Sequence, residues 1–598
     1  MVGRVISLST LHRLSRFACL QQQKKISSIG LRGLNTNNAL HAVDRSQPNG
    51  VVLPGEEGFI VKSRWSDVQI PEMNLADYVW EDIEHNAANP ALVCGMTGRS
   101  YSFAMAHGLS KKFGSALLRM GAKKGDVIGL VLPNIPEFPI VFMGAVGVNV
   151  TVTTMNPTYR PEEIARQMEN SETKFIVTIG MFVQNIKQSC DIYTGVEKII
   201  VIGDAIAPEG CISFLDLIMG EDGSLYGQDK TCNPHEDVVA LPYSSGTTGP
   251  PKGVCLTHYN LVANLCQAGH PDALPIKPFK ETGVLGSTLA VLPFFHIYAM
   301  ELVMLFNLRN GQKTITLPKF EPESYIKALD TYKPTFLNLV PPLVSFLATN
   351  PAVKPSLLNS VTFVTGGAAP FGPALIEKFM EKVHPHQIEF REGFGMTESS
   401  PLTHLQPDGD AVLGACGCPV SNTWAKIVDT ETGEILGPEE QGELCVSGPQ
   451  VMQGYFKNIS ATEKTIINGW LMTGDIAKYD KSGQFTIVDR LKELIKVKGL
   501  QVAPSELEDL IRRHSGVLDV AVVGVPDERS GELPRAYIIR KNRNVTEQSI
   551  IDYVADRVAP HKKLGAGVMF VETLPKNQTG KILRRELKAQ VFKGSFGY

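Results

Sequence analysis

Short apolar runs rich in β-branched residues alternate with longer amphipathic stretches along most of the chain. The clearest of these runs lie at residues 126–132, 174–178, 198–202, 238–242, 288–293 and 360–365. Runs of this length and composition predict strands buried on both faces. Helical periodicity is clear after Pro504, where i, i+3, i+4 and i+7 spacing joins Leu507, Leu510, Ile511 and His514. Strands separated by helices predict an α/β fold, in which ligands bind beyond the carboxyl ends of strands.

The composition is that of a globular protein. The 598 residues are 43% apolar and 20% charged, which excludes a coiled coil, a collagen and a chain disordered throughout. The length allows about three to five domains, or fewer large ones, and no internal repeat is found from residue 60 onward. The formal net charge of −3 argues against a nucleic-acid-binding protein that works by bulk positive charge.

Neither a membrane-spanning segment nor a disulfide framework is predicted. The longest apolar stretch, 127–152, is interrupted by three prolines and by Glu137, whereas a spanning helix needs about 20 consecutive apolar residues. The ten cysteines are scattered and form no C-x-x-C pair, so we interpret them as reduced thiols. Cys416 and Cys418 are too close in sequence for ordinary zinc-knuckle spacing.

The first 43 residues have the composition of a mitochondrial presequence. They contain no acidic residue and are rich in serine. Their basic residues are Arg4, Arg13, Arg16, Lys24, Lys25 and Arg32. Basic, serine-rich and acid-poor leaders are typical of mitochondrial import, although a solvated basic tail is the alternative. Losing these six charges changes the net charge from −3 to −9, so a site for a polyanionic substrate must be locally positive.

The loop after the predicted strand 238–243 has the residues of a phosphate cradle. Its members are Ser244, Ser245, Gly246, Thr247, Thr248, Gly249, Pro250, Pro251, Lys252 and Gly253. Glycines let backbone N–H groups turn toward an anion, hydroxyls donate further hydrogen bonds, and the lysine supplies charge. The loop is not a Walker A motif, because no Ser or Thr follows Lys252. A flexible turn is the alternative.

This loop resembles the signature motif of the adenylate-forming superfamily. That superfamily includes acyl-CoA synthetases, 4-coumarate–CoA ligases, beetle luciferases and the adenylation domains of peptide synthetases. Six further motifs follow in the family's order, so the resemblance extends from about residue 70 to about residue 590. It implies that residues 244–252 hold the β- and γ-phosphates of ATP.

The second and third motifs are implied to line the acyl and adenine sites. Residues 292–300 read LPFFHIYAM and are similar to the 4-coumarate–CoA ligase branch, which implies that His296 flanks the acyl pocket and the reacting carboxylate. Residues 365–370 read TGGAAP. By resemblance, Gly367 and Ala368 pack against adenine and substrate, because small residues permit that approach.

The fourth motif, EGFGMTE at residues 392–398, resembles the family's aromatic-G-x-T-E sequence. Its candidate site residues are Gly393, Phe394, Gly395, Met396, Thr397 and Glu398. The resemblance implies that the aromatic ring stacks on adenine, Thr397 contacts phosphate and Glu398 binds Mg²⁺. The family often has tyrosine at position 394, so stacking is retained here without a phenolic hydrogen bond.

The last three motifs bring in the ribose site, a hinge and a catalytic lysine. Residues 469–475 end in Asp475, which is implied to accept both ribose hydroxyls, a device that dinucleotide-binding folds share. In residues 488–499, Arg490 is implied to contact ribose and Lys492 to be the interdomain hinge. The same stretch adds Lys496 and Lys498 as candidate cofactor-binding residues, and a solvated basic face is the alternative for these lysines.

The final motif, TGK at residues 579–581, is implied to carry the catalytic Lys581. Asn577 and Gln578 just before it depart from the family pattern in identity but not in spacing. A large N-terminal ATP- and acyl-binding domain is therefore expected at residues 60–489. A small, mobile C-terminal α+β domain follows at residues 490–598.

The resemblance implies an acyl-CoA synthetase that uses ATP, CoA and Mg²⁺. A carboxylic acid, medium-chain fatty or aryl-propenoic, would become acyl-AMP with loss of pyrophosphate and then acyl-CoA. Only 17 residues follow Lys581, too few for a carrier-protein domain, which favours free CoA as acceptor. Two alternatives stay open, a luciferase-like oxygenase that shares the adenylation step and a non-catalytic nucleotide-binding relative.

The ends of the chain predict the mitochondrial matrix as its location. The C-terminal residues are Phe596, Gly597 and Tyr598, which do not form the Ser-Lys-Leu type of peroxisomal signal that many relatives carry. The basic leader at residues 1–43 favours mitochondrial import instead.

Overall fold

The computed structural model describes most of the chain outside the leader. The described residues are 52–55, 58–203, 206–228, 231–244, 251–384, 386–498, 500–527, 529–577, 580–584 and 586–588. The predicted presequence, the loop residues Ser245–Gly249, Thr579 and the C-terminal tripeptide lie outside these ranges.

The strands run in chain order through the N-terminal and C-terminal parts. In the first 490 residues they are β1 (Val52–Gly55), β2 (Gly58–Lys62), β3 (Pro90–Cys94), β4 (Ser100–Ser102), β5 (Val127–Leu130), β6 (Thr151–Thr154), β7 (Thr173–Ile179), β8 (Lys198–Ile202), β9 (Ile212–Ser213), β10 (Val238–Ala240), β11 (Tyr243–Ser244), β12 (Lys252–Thr257), β13 (Ser287–Ala290), β14 (Lys313–Thr316), β15 (Phe336–Leu339), β16 (Phe363–Gly366), β17 (Glu389–Gly395), β18 (Leu402–Leu405), β19 (Cys418–Pro419), β20 (Trp424–Val428), β21 (Ile435–Leu436), β22 (Gly442–Ser447), β23 (Gly454–Tyr455), β24 (Ile466–Ile467), β25 (Trp470–Tyr479) and β26 (Phe485–Arg490). The remaining strands are β27 (Ile495–Val497), β28 (Leu500–Val502), β29 (Val517–Asp527), β30 (Gly531–Arg540) and β31 (Val568–Phe570).

Helices connect most of these strands. They are α1 (Leu75–Trp80), α2 (Phe103–Arg119), α3 (Glu137–Val146), α4 (Pro161–Ser171), α5 (Val183–Ile192), α6 (Phe214–Met219), α7 (His258–Ala268), α8 (Phe279–Thr282), α9 (Ile297–Ala299), α10 (Phe306–Arg309), α11 (Pro322–Tyr332), α12 (Pro341–Thr349), α13 (Pro373–Val383), α14 (Ile459–Thr465), α15 (Pro504–Arg512) and α16 (Glu547–Ala555). A π-helical turn, Met300–Leu305, joins α9 to α10.

The described residues of the N-terminal part form four sheets. The largest has the order β11-β12-β10-β6-β5-β7-β8-β9, and its strands from β10 through β6 to β9 run parallel. The others have the orders β13-β14-β3-β4, β15-β16-β17-β18-β19 and β1-β2-β20-β22-β25-β24. The parallel strand β5 is buried along its whole length, as the apolar run 126–132 predicts. Its neighbour β6, which contains three threonines, is buried as well.

The apolar stretch 127–152 forms the buried centre of the largest sheet. It contains β5, then α3, in which all ten residues are buried, then the start of β6. A helix buried on every side needs no polar face, which explains why this segment is the most apolar of the chain. Within the described residues, no helix is both long enough and apolar enough to cross a membrane.

Two predicted boundaries differ from the structure. The predicted strand 238–243 is divided into β10 and β11, with Leu241 and Pro242 between them, because proline has no N–H for a central strand ladder. The helix predicted from Pro504 ends at Arg512, so His514 lies beyond it, while Leu507 and Ile511 are buried as expected.

The C-terminal part is a separate α+β unit. Its sheet has the order β28-β27-β30-β29, with β31 beside β30, and α15 and α16 pack on it. It has its own apolar core, formed by residues such as Leu507, Val522 and Ile538. The chain passes from the N-terminal sheet to this one between Arg490 and Ile495. This passage contains the candidate hinge, Lys492.

Candidate active site

The candidate phosphate loop lies in a hairpin of the largest sheet. Ser244, at the end of β11, is paired with Lys252, at the start of β12. The loop residues Ser245, Gly246, Thr247, Thr248 and Gly249 join these two strands and lie outside the described residues. The Lys252 ammonium lies 4.4 Å from the centre of the Tyr455 ring, a distance at which the ring attracts a cation.

Tyr455 connects the phosphate loop with the fourth motif. Strand β23 pairs with β12 and so places Tyr455 opposite Val254. The Tyr455 hydroxyl donates a hydrogen bond of 2.8 Å to Oε1 of Glu398. Burial, together with the Glu398 charge, raises the pKa of Tyr455, so the phenol stays a donor at neutral pH. Sequence reasoning missed this residue because Gly454 and Tyr455 belong to none of the seven motifs.

Glu398 is suited to hold a magnesium ion together with ATP. The residue is 5% exposed, and its backbone carbonyl accepts a hydrogen bond from Met452. Among the described residues, no group of three or more His, Cys, Asp or Glu side chains forms a metal site. Mg²⁺ usually needs only one or two carboxylates, because waters and substrate phosphates complete its shell. A single carboxylate that is linked through Tyr455 to Lys252 therefore fits this ion.

The turn after β16 packs against strand β17 and the ring of Tyr298 at van der Waals distance. A Cβ atom on Gly367 would lie 3.6 Å from the Gly393 carbonyl oxygen and 3.6 Å from the Tyr298 ring. Ala368 has a positive φ of 70°, which side-chain-bearing residues rarely adopt. Tyr298 is held in place by a contact of 3.1 Å between its hydroxyl and that of Thr365. The second, third and fourth motifs thus meet at one point.

The remaining residues of the fourth motif are fixed by β18. The ring of Phe394 packs edge-on against the buried ring of His404, with centroids 5.9 Å apart. A Cβ on Gly395 would lie 2.0 Å from the Pro401 carbonyl oxygen, so only glycine fits there. Met396 donates its N–H to the same carbonyl at 3.1 Å. Thr397 then opens the short 3₁₀ turn that carries Glu398.

His296 begins the helical stretch that continues to Arg309. It is the N-cap of α9, and its ring packs on that of Phe295 with centroids 4.7 Å apart. Burial lowers the pKa of His296 to about 4. The imidazole is therefore neutral at physiological pH and does not attract a carboxylate by charge.

Asp475 and Arg490 face each other across two neighbouring strands. They are register partners in β25 and β26, and Oδ1 of Asp475 lies 2.8 Å from Nε of Arg490. The other oxygen, Oδ2, is buried and has no hydrogen-bond partner among the described residues. Burial raises the pKa of Asp475, while Arg490 and Lys581 oppose that shift. This oxygen is free to accept hydrogen bonds from a ligand.

Lys581 is brought to this pair from the C-terminal unit. Burial lowers the pKa of Lys581, as does the field of Arg490, while Glu493 and Asp475 act in the opposite direction. Its backbone N–H is held by the Asn577 side chain at 2.8 Å. An ammonium from one domain thus lies beside the candidate ribose-binding carboxylate of the other.

The other candidate lysines are exposed. Lys492, Lys496 and Lys498 all have exposed side chains. Lys492 and Lys496 line a cleft of about 710 Å³ between the two units. The backbone N–H of Lys498 donates to the Ser530 carbonyl at 2.7 Å. The structure therefore groups Lys252, Glu398, Asp475, Arg490 and Lys581 together and leaves these three lysines at the solvent-facing edge.

Glu301 is a buried acid that the motif reading passed over. It lies in the π-helical turn after His296, is fully buried, and neither of its carboxyl oxygens has a hydrogen-bond partner among the described residues. Burial raises the pKa of Glu301 well above its usual range. The folded chain therefore holds a proton that the unfolded chain releases above about pH 4.3, and stability from this group falls as pH rises.

We expect Glu301→Gln to be more stable than the wild type at alkaline pH. The advantage should grow as pH rises above the usual glutamate pKa of about 4.3, by about 1.4 kcal/mol for each pH unit over which Glu301 stays protonated only when folded. Midpoints of urea unfolding measured from mildly acidic to alkaline pH test the prediction. The exposed Glu323→Gln serves as the matched control and should show no such trend. An equal difference at every pH would contradict the assignment of a retained proton.

Comparison with known proteins gives one consistent result. Residues 79–456 match the AMP-binding enzyme family, and residues 506–581 match the AMP-binding enzyme C-terminal domain. The chain is 39% identical over 545 residues to 4-coumarate–CoA ligase CCL1 of Humulus lupulus, covering 90% of this chain and 97% of that protein. It is likewise 39% identical over 548 residues to 4-coumarate–CoA ligase 1 of Arabidopsis thaliana, covering 90% and 96%.

Solved structures have the same fold. The anthranilate CoA ligase AuaEII in complex with anthranoyl-AMP superposes with a TM-score of 0.79 at 25% identity, over 88% of this chain and 99% of that one. ATP-bound MatB from Rhodopseudomonas palustris superposes with a TM-score of 0.78 at 24% identity, over 88% and 100%.

Proposed function

The chain belongs to the AMP-binding enzyme family, and from that premise we propose that it joins a carboxylic acid to coenzyme A in two steps, of which the first consumes ATP. The observation that carries the proposal is that the segment of Lys581 contacts the N-terminal domain, with Gly580 against Pro342, while the Lys581 ammonium lies in the electrostatic field of the Asp475–Arg490 pair. This arrangement supports the proposal, because adenylation needs a cation near the nucleotide site that we propose for the N-terminal domain.

In the first step, a carboxylate oxygen attacks the α-phosphorus of ATP and the bond to pyrophosphate breaks. Both reactants are anions, so positive charge must be fixed where they meet. Lys581 would hold the acid and the α-phosphate together, and Oδ2 of Asp475 would accept hydrogen bonds from the ribose. His296 would flank the acid without competing with Lys581 for its carboxylate, since the low pKa of about 4 leaves the imidazole uncharged.

The β- and γ-phosphates would be held by the Ser244–Lys252 loop and by the magnesium site of Glu398. Mg²⁺, when bound there, would supply charge to the phosphate oxygens. The Tyr455 hydroxyl orients the Glu398 carboxylate through its 2.8 Å hydrogen bond. Its ring also positions the Lys252 ammonium, so one side chain sets two of the phosphate-binding groups.

In the second step, the CoA thiol attacks the acyl carbon of acyl-AMP and AMP leaves. Lys581 has no role in that attack and would block the approach of the thiol. We propose that the C-terminal domain turns about Lys492 after adenylation and withdraws Lys581. Free CoA is the proposed acceptor, in line with the CoA ligases that this chain resembles along 97% of one relative's length.

We propose an aryl-propenoic acid as the preferred substrate class. The relatives at 39% identity carry the name 4-coumarate–CoA ligase, and the LPFFHIYAM stretch resembles that branch. A medium-chain fatty acid is the second candidate, because apolar pockets discriminate by only about 1–3 kcal/mol for each methylene. A preference between the two classes is therefore expected to be graded.

The test is pyrophosphate release by residues 44–598 with Mg-ATP and a panel of acids, measured with and without CoA. Acid-dependent release that CoA accelerates, together with acyl-CoA as product, is the expected result. Aryl-propenoic and medium-chain acids of matched carbon number should be compared at equal concentration. Oxygen consumption in place of acyl-CoA formation would favour the luciferase-like alternative. ATP binding without release for any acid would favour the non-catalytic one.

We also propose the mitochondrial matrix as the location, on the basis of the basic leader at residues 1–43. A reporter fused to the full chain is expected in mitochondria, and a reporter fused to residues 44–598 is expected in the cytosol. A leader with Arg4, Arg13 and Arg16 replaced by glutamine is the matched control and should import poorly. Unchanged import after deletion would contradict the proposal.

A further inference from the structure

Two carboxylate–guanidinium pairs flank Lys581. The first is the pair of Asp475 and Arg490, 2.8 Å apart. The second joins Glu493, in the segment between the two domains, to Nη1 of Arg584, which follows Lys581 by three residues. The backbone N–H of Glu493 donates to the Arg490 carbonyl at 2.9 Å. The short segment 490–493 therefore supplies one member of each pair, Arg490 to the first and Glu493 to the second.

Arg584 is held on several sides. Its Nη2 donates to both carboxyl oxygens of Glu508 at 2.8 Å, and its Nε donates to the Val522 carbonyl at 3.3 Å. The side chains of Arg584, Glu493 and Glu508 are only 12%, 13% and 4% exposed. Buried charges in such a network are fixed in place and are costly to leave unpaired. Arg584 therefore connects the segment between the domains to the core of the C-terminal unit.

The ammonium of Lys581 lies within the field of all four groups. Asp475 and Glu493 attract it, and Arg490 and Arg584 repel it. Among the described residues, no carboxylate oxygen lies within 4.0 Å of the Lys581 ammonium, and the nearby Asp475 and Glu493 are each paired with an arginine. The Lys581 ammonium thus has four charged groups around it but forms an ion pair with none of the described carboxylates.

We propose that Arg584 is a positioning residue that occupies Glu493 and so keeps the Lys581 ammonium available for the acid and the α-phosphate. The inference rests on the proposed adenylation role of Lys581. Without the guanidinium, the Glu493 carboxylate would be a buried, unpaired charge close to a free ammonium. Lys581 would then turn toward Glu493, since a buried charge strongly favours any available partner. Removing the Glu493 charge as well should undo that mispairing.

The test compares Arg584→Gln, Glu493→Gln and the double variant in two assays. The first assay is acyl-AMP formation from acid and ATP, and the second is conversion of supplied acyl-AMP and CoA to thioester. Arg584→Gln is expected to lower kcat for acyl-AMP formation about tenfold or more, with a smaller change in KM for ATP, because it misplaces a group worth about 100- to 1,000-fold. Thioester formation should change by less than about threefold, since that step does not use Lys581.

Recovery of adenylation by the second substitution, Glu493→Gln, distinguishes a positioning role of Arg584 from a merely structural one. The double variant should recover most of the lost adenylation rate, a coupling that a double-mutant cycle measures directly. Arg512→Gln is the matched control, because Arg512 also contacts Glu508, at 3.6 Å, but lies outside the charges around Lys581. Equal losses in both assays, or no rescue by Glu493→Gln, would overturn the proposal.

Two further outcomes are informative. If Arg584→Gln does not fold, the same comparison is made with Arg584→Lys, which keeps the charge but loses the forked geometry, alone and with Glu493→Gln. The absence of acyl-AMP formation by the wild type would instead overturn the proposed function. Wild-type activity with no effect of Arg584→Gln or Arg584→Lys would overturn only the positioning role.

Discussion

Replacing Lys581 with alanine is expected to lower the rate of acyl-AMP formation at least about 100- to 1,000-fold. The ammonium is the charge that the C-terminal domain brings to the Asp475–Arg490 pair, and the carboxylate and the α-phosphate repel each other without it. The conversion of supplied acyl-AMP and CoA to thioester should remain close to the wild-type rate. Pyrophosphate release and thioester formation, measured separately on the same preparation, give the two rates.

Lys576→Ala is the matched control for this experiment. Lys576 lies in the same C-terminal segment but forms an ion pair with Asp519, so its loss should affect neither half-reaction by more than about threefold. A Lys581→Ala enzyme in which both half-reactions fall equally would contradict the division of labour between the two steps. Equal loss for Lys576→Ala would indicate a defect of the whole C-terminal domain.

Replacing Gly580 with alanine is expected to impair adenylation severely, because the new side chain would both strain the backbone and collide with the N-terminal domain. Gly580 has a φ of 82° and a Cβ placed there would lie 2.3 Å from Cγ of Pro342 in the N-terminal domain. Backbone strain of about 1–2 kcal/mol and a clash of about 1–3 kcal/mol both act against the orientation that presents Lys581. Together they predict a loss of about 30-fold or more in acyl-AMP formation, measured as pyrophosphate release at saturating ATP and acid.

Two variants separate strain from collision. Gly567 has a φ of 80° with no atom within 4 Å of a Cβ placed there, so Gly567→Ala carries the strain without the domain contact and should adenylate nearly normally. Pro342→Ala removes the colliding Cγ and Cδ atoms, and it should restore much of the activity of Gly580→Ala. Equal losses for Gly567→Ala and Gly580→Ala, or no restoration, would show that the contact with Pro342 does not matter for adenylation.

The fold class and the motif residues were predictable because both depend on local sequence. The strands at β7 and β8 follow from apolar runs that alternate with amphipathic helices. Gly395 of the fourth motif reflects a close approach that no other residue tolerates, because a Cβ there would lie 2.0 Å from the Pro401 carbonyl oxygen. Family membership adds weight to these residues, while the roles of individual side chains stay predictions until the half-reactions are measured.

Other parts of the site were not predictable from local sequence. Tyr455 contacts both Lys252 and Glu398, yet it lies about 200 residues from one and about 60 from the other in the sequence. Its position depends on the pairing of β23 with β12, and strand pairing is determined by packing across the whole sheet. Lys496 and Lys498 belong to the same motif as Arg490, but both are exposed, as in the alternative of a solvated face. The alternation of side chains along β27 leaves Lys496 exposed, and Lys498 follows the end of that strand.

By itself, the sequence determined the α/β class, the order of the motifs and the chemical groups that each motif offers, because these depend on residue type and short-range spacing. The tertiary structure alone decided which groups meet. It pairs Asp475 with Arg490 and Glu493 with Arg584, leaves Lys581 unpaired between them, and presses Gly580 against Pro342. Electrostatic and steric effects fall off over a few ångströms in space, and distance along the chain carries no information about that separation.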